Sequence, residues 1–277
     1  NGVFVFNKFS FNVAAPVITK RLRRDTRLVG KTPAVAKPIF TTQNHASGVY
    51  VRNSDCWCRD VDLTCVSPWN STEGYARAGV AISPRHVIFA AHFPLVAPGQ
   101  IRFVTNDNVT ITRSYTATAI HPLYSPYYPD IGVAFLDSDL PTSIVPAKVL
   151  PGNWQDKISP VRPFEIPAIV IDQEEKALVT DFYSEASGAV VNSVFRIPTS
   201  STQRLAFNEA LVVYDSGSPF FVIINNSPVL VAVATSGDGG SGTSIKNQIS
   251  SINTMMTNLG GGYQLQTVNL TGFRTIL

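Results

Sequence analysis

Short apolar runs, each stopped by proline, glycine, asparagine or aspartate, limit what this chain can fold into. Nineteen prolines and eighteen glycines are spread through 277 residues, and neither residue sits well inside a helix. The runs between them are rich in Val, Ile and Phe, which fit a pleated, half-buried surface. The pattern predicts an all-β chain of many short strands joined by turns. Runs at 80–82 and 87–89 flank Ser83-Pro84-Arg85, and runs at 101–105 and 109–112 flank Asn106-Asp107-Asn108. Another buried run covers 131–136. Beyond a proline-rich bridge at 141–151 the habit repeats at 168–171, 177–180, 189–195, 220–224 and 229–235. Asn225-Asn226 splits the last two runs, and asparagine tolerates the left-handed backbone a hairpin needs. Only residues 243–259 have helical period, with Ile245, Ile249, Ile252 and Met256 on one face and Gly260-Gly261-Gly262 as the stop.

Hydrophobic residues make up 44% of the chain and charged residues 15%, which excludes intrinsic disorder and allows a sizeable core. A net charge of +3 is too small to imply a nucleic-acid or membrane-surface partner. The most apolar stretch, 219–235, is broken by Asn225-Asn226-Ser227-Pro228, so no membrane span is expected. The basic run Lys20-Arg21-Leu22-Arg23-Arg24 reads as a solvated segment. Zinc on Cys56, Cys58 and Cys65 would need a fourth soft ligand, and the nearest histidine in sequence, His45, has no ligand-like spacing. One local disulfide with a spare thiol is the favoured reading over three free thiols. Sequons begin at Asn70, Asn108, Asn225 and Asn269, and such triplets arise often by chance. The expected organisation is a leader or pro-segment at 1–45, two β-rich halves at 46–145 and 146–259, and a tail at 260–277.

Four histidines can be weighed one by one. His45, His86 and His121 sit in turn or strand settings with no reactive neighbour and read as structural. His92 ends Phe89-Ala90-Ala91-His92, where two small residues follow a buried strand and let the imidazole approach other backbone. Asp130 stands directly before the apolar run Ile131-Gly132-Val133-Ala134-Phe135-Leu136, so its carboxylate needs a partner, and an imidazole N–H is a suitable one. Tyr214-Asp215-Ser216-Gly217-Ser218-Pro219 is a polar turn between apolar strands, able to hold a serine hydroxyl and backbone N–H groups toward one point.

Three segments together resemble the chymotrypsin/trypsin-like serine endopeptidases. They are Ile82-Ser83-Pro84-Arg85-His86-Val87-Ile88-Phe89-Ala90-Ala91-His92, then His121-Pro122-Leu123-Tyr124 with 130–136, then Asp215-Ser216-Gly217-Ser218-Pro219. They keep the family's order of His, Asp and Ser, at separations of 38 and 86 residues. The resemblance covers residues 75–259. It implies two six-stranded antiparallel β-barrels and a C-terminal helix, with His92 and Asp130 on the first barrel and Ser216 on the second. It further implies Ser216 as nucleophile, His92 as general base and acid, and Asp130 as the group that fixes the histidine tautomer. The N–H groups of Ser216 and Tyr214 would form the oxyanion hole. Asp215 would hold the loop, in many relatives by pairing with a freed N-terminal amine. Ala210, Thr235, Ser236 and Gly237 would shape the substrate pocket, with Ala210 at its floor and Thr235 also in the place of a serine that supports the aspartate. No charge at that floor points to an apolar residue before the scissile bond.

The departures from the family are specific. Tyr214 occupies the place of a glycine, and a peptide flipped there would remove an oxyanion donor, a loss of roughly 10²–10³ in rate. Phe93 follows His92 where relatives carry a cysteine, and the partner cysteine is absent too. Arg27-Leu28-Val29-Gly30 echoes an activation site only distantly. Asp172, Glu174 and Glu175 read as a solvated hairpin tip before they read as a calcium site. The expected function is a secreted serine endopeptidase acting on polypeptide substrates, with no cofactor and no metal. A binding or structural protein on the same fold is the rival, and a carbohydrate-binding β-sandwich would leave the ordered His, Asp and Ser unexplained.

Overall fold

A computed structural model of the chain describes residues 26–68, 79–124, 129–158, 166–186, 192–199, 201–237 and 240–271. The basic run at 20–24, the sequon at Asn70, the first residues of the run at 189–195 and the end of the tail lie outside these residues. The architecture is mostly β-sheet with few helices. A short helix, α1 (Pro33–Ala36), precedes the hairpin β1 (Phe40–Asn44) and β2 (Val49–Arg52). The described part of the expected leader is packed into the protein: Leu28, Ala36, Ile39 and Phe40 are buried in the larger core.

The five strands that follow are β3 (Val80–Ser83), β4 (His86–Phe89), β5 (Gly99–Val104), β6 (Thr110–Ile120) and β7 (Gly132–Leu136). They form one antiparallel sheet in the order β3-β4-β7-β6-β5. β6 is long enough to pair with both β5 and β7, and a register shift between Tyr115 and Ala117 bends it. Bulges of this kind increase local twist, so the sheet curls. Gly99 makes the curl possible, because a Cβ there would lie 2.1 Å from the buried Tyr115 hydroxyl.

The second half begins with β8 (Lys148–Val149) and helix α2 (Trp154–Ile158), then β9 (Ile166–Ile171), β10 (Ala177–Ala186) and β11 (Asn192–Arg196). Helix α3 (Thr202–Ala206) is capped by Ser201, whose hydroxyl accepts the Arg204 N–H. Strands β12 (Pro219–Ile224), β13 (Ser227–Val233) and β14 (Ser241–Thr243) complete a seven-stranded sheet in the order β14-β11-β10-β9-β12-β13-β8. The β12–β13 turn has Asn225 and Asn226 at φ 51° and 62°, the left-handed pair that matches strand twist. Beyond β13 the chain meets the far edge of the sheet, where the Thr235 N–H donates to Ser241 O at 2.8 Å. The sheets hold five and seven strands where the sequence reading expects six and six.

Two core clusters explain why the apolar runs in this half are continuous instead of alternating. Ile169 and Ile171 of β9 and Phe221 and Ile223 of β12 face the larger core, which also takes Ile88, Phe103 and Val133 from the first sheet. Ala168 and Val170, with Phe220, Val222 and Ile224, face a second core around Trp154, Phe182 and Phe195. Successive side chains alternate between faces, and both faces are covered. A 3₁₀ turn (Ile245–Gln248) leads into α4 (Ile249–Leu259), which buries Ile252, Met255 and Met256 and stops at Gly260, φ 106°. Among the described residues no helix is long and apolar enough to cross a membrane. The expected disulfide is not formed: Cys56, Cys58 and Cys65 are buried free thiols, with the sulfurs of Cys56 and Cys58 3.6 Å apart.

Candidate active site

Strand pairing brings the first two residues together. β4 and β7 are neighbours, with Phe89 opposite Gly132, so the residues just beyond β4 and just before β7 share one end of the sheet. Gly132 leaves room for the Phe89 ring, which a Cβ would approach to 2.2 Å. The small buried residues Ala90 and Ala91 carry the chain into a turn closed by Phe93 N–H to Ala90 O at 3.1 Å. His92 then meets Asp130 twice: its backbone N–H donates to Oδ1 at 2.8 Å, and Nδ1 lies 2.5 Å from Oδ2. Asp130 is 2% exposed, and its own N–H donates to the Thr243 hydroxyl at 3.0 Å. The hydrogen bond to Asp130 raises the His92 pKa above its ordinary value, against the lowering effect of burial.

Ser216 comes from the other half. It sits on the turn before β12, where the Ser218 N–H donates to Asp215 O at 2.9 Å and the Gly217 N–H to Ala234 O at 2.8 Å. Gly217 adopts φ 89°, a backbone that glycine allows without steric cost. Ser216 Oγ lies 2.7 Å from His92 Nε2. With Nδ1–H given to Asp130, Nε2 is left to accept from the serine hydroxyl. Among the described residues the Ser216 N–H has no acceptor. Tyr214 stands at the third position of a turn closed by Asp215 N–H to Val212 O at 3.1 Å, with φ 80°. That is the geometry of a type II turn, which favours glycine at this place. The tyrosine therefore keeps a left-handed backbone, and its ring lies 6.1 Å from that of Phe93.

Asp215 is buried, and its carboxylate accepts the N–H groups of Val212 at 2.6 Å and Gln173 at 2.9 Å. Backbone amides therefore do the holding that the resemblance assigns to a freed terminus. The echo of an activation site is engaged elsewhere: Arg27 pairs with Asp60 at 2.7 Å and Leu28 is fully buried. The Gln173 contact ties the serine turn to the β9–β10 tip. There Asp172, Glu174 and Glu209 bring carboxylate oxygens within 4.8 Å of one another. Lys176 pairs with Glu174 and Glu209, and Lys37 with Glu209, so positive charge is already supplied at this tip. Glu175 stands apart, 3.5 Å from His45 Nε2.

A cleft of about 630 Å³ opens beside Ser216, lined by residues 211–216 and 234–237. Thr235, Ser236 and Gly237 lie there as expected, while Ala210 is exposed and is not among the described residues that line it. Leu211 takes its place, and a Cβ on Gly237 would come 3.0 Å from Leu211 O, so the two walls approach closely. The Thr235 hydroxyl donates to Ser241 O at 3.1 Å and does not support the aspartate; Thr243 does. Neither Thr243 nor Gln173 carried a signal in the sequence, since Thr243 acts through a bond to Asp130 and Gln173 through bonds to Asp215 and Val213, all distant in sequence. The other histidines are structural: His86 meets the Ser83 hydroxyl at 2.8 Å, His121 meets Gln248 at 3.1 Å, and His45 meets the Tyr50 hydroxyl at 3.1 Å. A scan against protein-family models and a search of curated proteins find no match to this chain.

Proposed function

We propose that this protein is a chymotrypsin-like serine endopeptidase whose five- and seven-stranded sheets act as the two barrels of that architecture. The observation that carries the reading is the unbroken relay from Asp130 through His92 to Ser216, with contacts of 2.5 and 2.7 Å. Ser216 Oγ attacks the scissile carbonyl as His92 Nε2 takes its proton. Asp130 holds the imidazole in the required tautomer and stabilises the imidazolium. The free Ser216 N–H, with that of Tyr214, receives the developing oxyanion. His92 returns the proton to the leaving amine, and water then releases the acyl group by the same steps in reverse. The cleft beside Ser216 takes the side chain before the scissile bond, and its Leu211 and Val213 favour an apolar one.

Three buried free thiols fit a reducing compartment better than the secreted route expected from the sequence. A fluorophosphonate probe followed by peptide mapping tests the reading. Stoichiometric adduct on Ser216, absent in Ser216→Ala, is the expected result. Folded protein that takes no label would overturn it and favour the binding-protein alternative.

A further inference from the structure

Cys56 and Cys58 hold chemistry that peptide hydrolysis does not use. Consecutive turns place them, closed by Cys56 N–H to Asn53 O at 3.2 Å, Arg59 N–H to Cys56 O at 3.2 Å and Val61 N–H to Cys58 O at 2.8 Å. The result is a sulfur–sulfur distance of 3.6 Å. A disulfide needs about 2.05 Å, so the two sulfurs are neighbours that have about 1.5 Å left to close. Both residues line a cleft of about 400 Å³ that also presents Arg52, Arg59, Asp60 and Asp62, which gives a reagent a route to otherwise buried sulfur.

The two thiols are not equivalent. The hydrogen bond with Cys58 is the largest influence on Cys56 and brings its pKa below the ordinary thiol value, against burial and with help from Arg52 and Lys31. The Arg52 guanidinium donates to Val104 O at 2.5 Å, and among the described residues it has no carboxylate at ion-pair distance. Asp62 is its main charge partner, and the remainder of its field favours a thiolate at Cys56. The same hydrogen bond pushes Cys58 well up, and burial pushes Cys65 up to about 12. Cys56 keeps the little exposure the pair has, 3% against 0% for Cys58, and Cys65 does not line the cleft, so Cys56 is the sulfur placed to attack and Cys58 the one to follow.

We propose that Cys56 and Cys58 form a thiol–disulfide exchange site for a low-molecular-weight disulfide. The Cys56 thiolate attacks one sulfur of the reagent, forming a mixed disulfide and expelling the other sulfur as a thiolate. Cys58 gives up its proton and attacks Cys56 Sγ, expelling the second reagent thiol. Two protein thiols are oxidised to one disulfide, one reagent disulfide is reduced to two thiols, and the protons leave with them. A ring closed over a single intervening residue would be strained and readily reduced again.

The site stands independently of any proteolytic activity, and its test needs none. The folded protein is incubated with glutathione disulfide, alkylated and mapped by mass spectrometry. A Cys56–Cys58 bond with Cys65 still reduced, reversed by dithiothreitol, is the expected result. Cys58→Ser should stop at a glutathione adduct on Cys56, and Cys56→Ser should leave Cys58 unmodified. Native protein that does not react, or that reacts at Cys65 instead, would overturn the proposal. The wild-type map decides the matter even if either variant fails to fold.

Discussion

The hydroxyl of Thr243 accepts the backbone N–H of Asp130 at 3.0 Å, so the last strand steadies the loop that carries the carboxylate. Thr243 is fully buried. Thr243→Val keeps the shape and removes the acceptor, leaving the Asp130 N–H inside without a partner. The expected cost is about 1–3 kcal/mol in urea unfolding, together with slower labelling of Ser216. Unchanged stability would mean that another acceptor takes over.

The pH dependence follows from His92. Its folded pKa lies above the ordinary 6.5 because it hydrogen-bonds to Asp130, and only neutral His92 can accept the serine proton. Labelling should therefore rise with pH through a midpoint above 6.5. Asp130→Asn should move that midpoint down and reduce the plateau by about 10⁴. The stability linkage has the opposite slope. The protonated pair contributes fully below the unfolded pKa, and its contribution is lost as pH climbs through the folded one.

Tyr214 tests whether the left-handed turn or the side chain matters. Tyr214→Gly suits φ 80° without strain and should leave labelling intact. Tyr214→Pro fixes φ near −65° and deletes the N–H. It should reduce labelling by about 10² or more while the far-ultraviolet dichroism stays that of a β-protein. Equal rates for the two variants would remove this peptide from the mechanism.

Asp172 has a pKa raised to about 7, chiefly by burial, with Asp215 adding to the effect. An acid whose folded pKa exceeds its unfolded value takes up a proton on folding, so its contribution to stability falls as pH rises between the two. Asp172→Asn should therefore raise the unfolding midpoint at about pH 8 and change it much less at about pH 4. The same gain at both values would contradict the assignment.

Much of this was legible in the sequence because local rules and tertiary packing agreed. The turn at Asn225-Asn226 and the face of Ile245, Ile252 and Met256 are local features, and the structure keeps both. His92, Asp130 and Ser216 could be brought together only by recognising three motifs in order, since no local pattern encodes a contact across 124 residues. The residues that stayed hidden hold their positions through partners distant in sequence. Asn53 donates to Val35 O and Pro38 O and folds residues 33–57 on themselves, and Trp57 Nε1 donates to Ala177 O at 2.7 Å and ties them to the second sheet. The cysteine spacing showed which sulfurs are neighbours, Cys56 and Cys58 at 3.6 Å, and could not show that they are thiols and not a disulfide.

The edge strand β8 carries a last consequence. Val149 pairs on one side with β13 and on the other bridges Thr267, with bonds to Gln266 O and from the Val268 N–H. Leu265 and Leu270, beside this bridge, each cover one of the two cores. During synthesis β8 leaves the ribosome long before residue 268, and until then its outer edge stays open to any strand that meets it. Loss of residues 265–270 would therefore unpair the outer edge of β8 and uncover both cores at once, turning a sealed rim into a surface that accepts foreign strands.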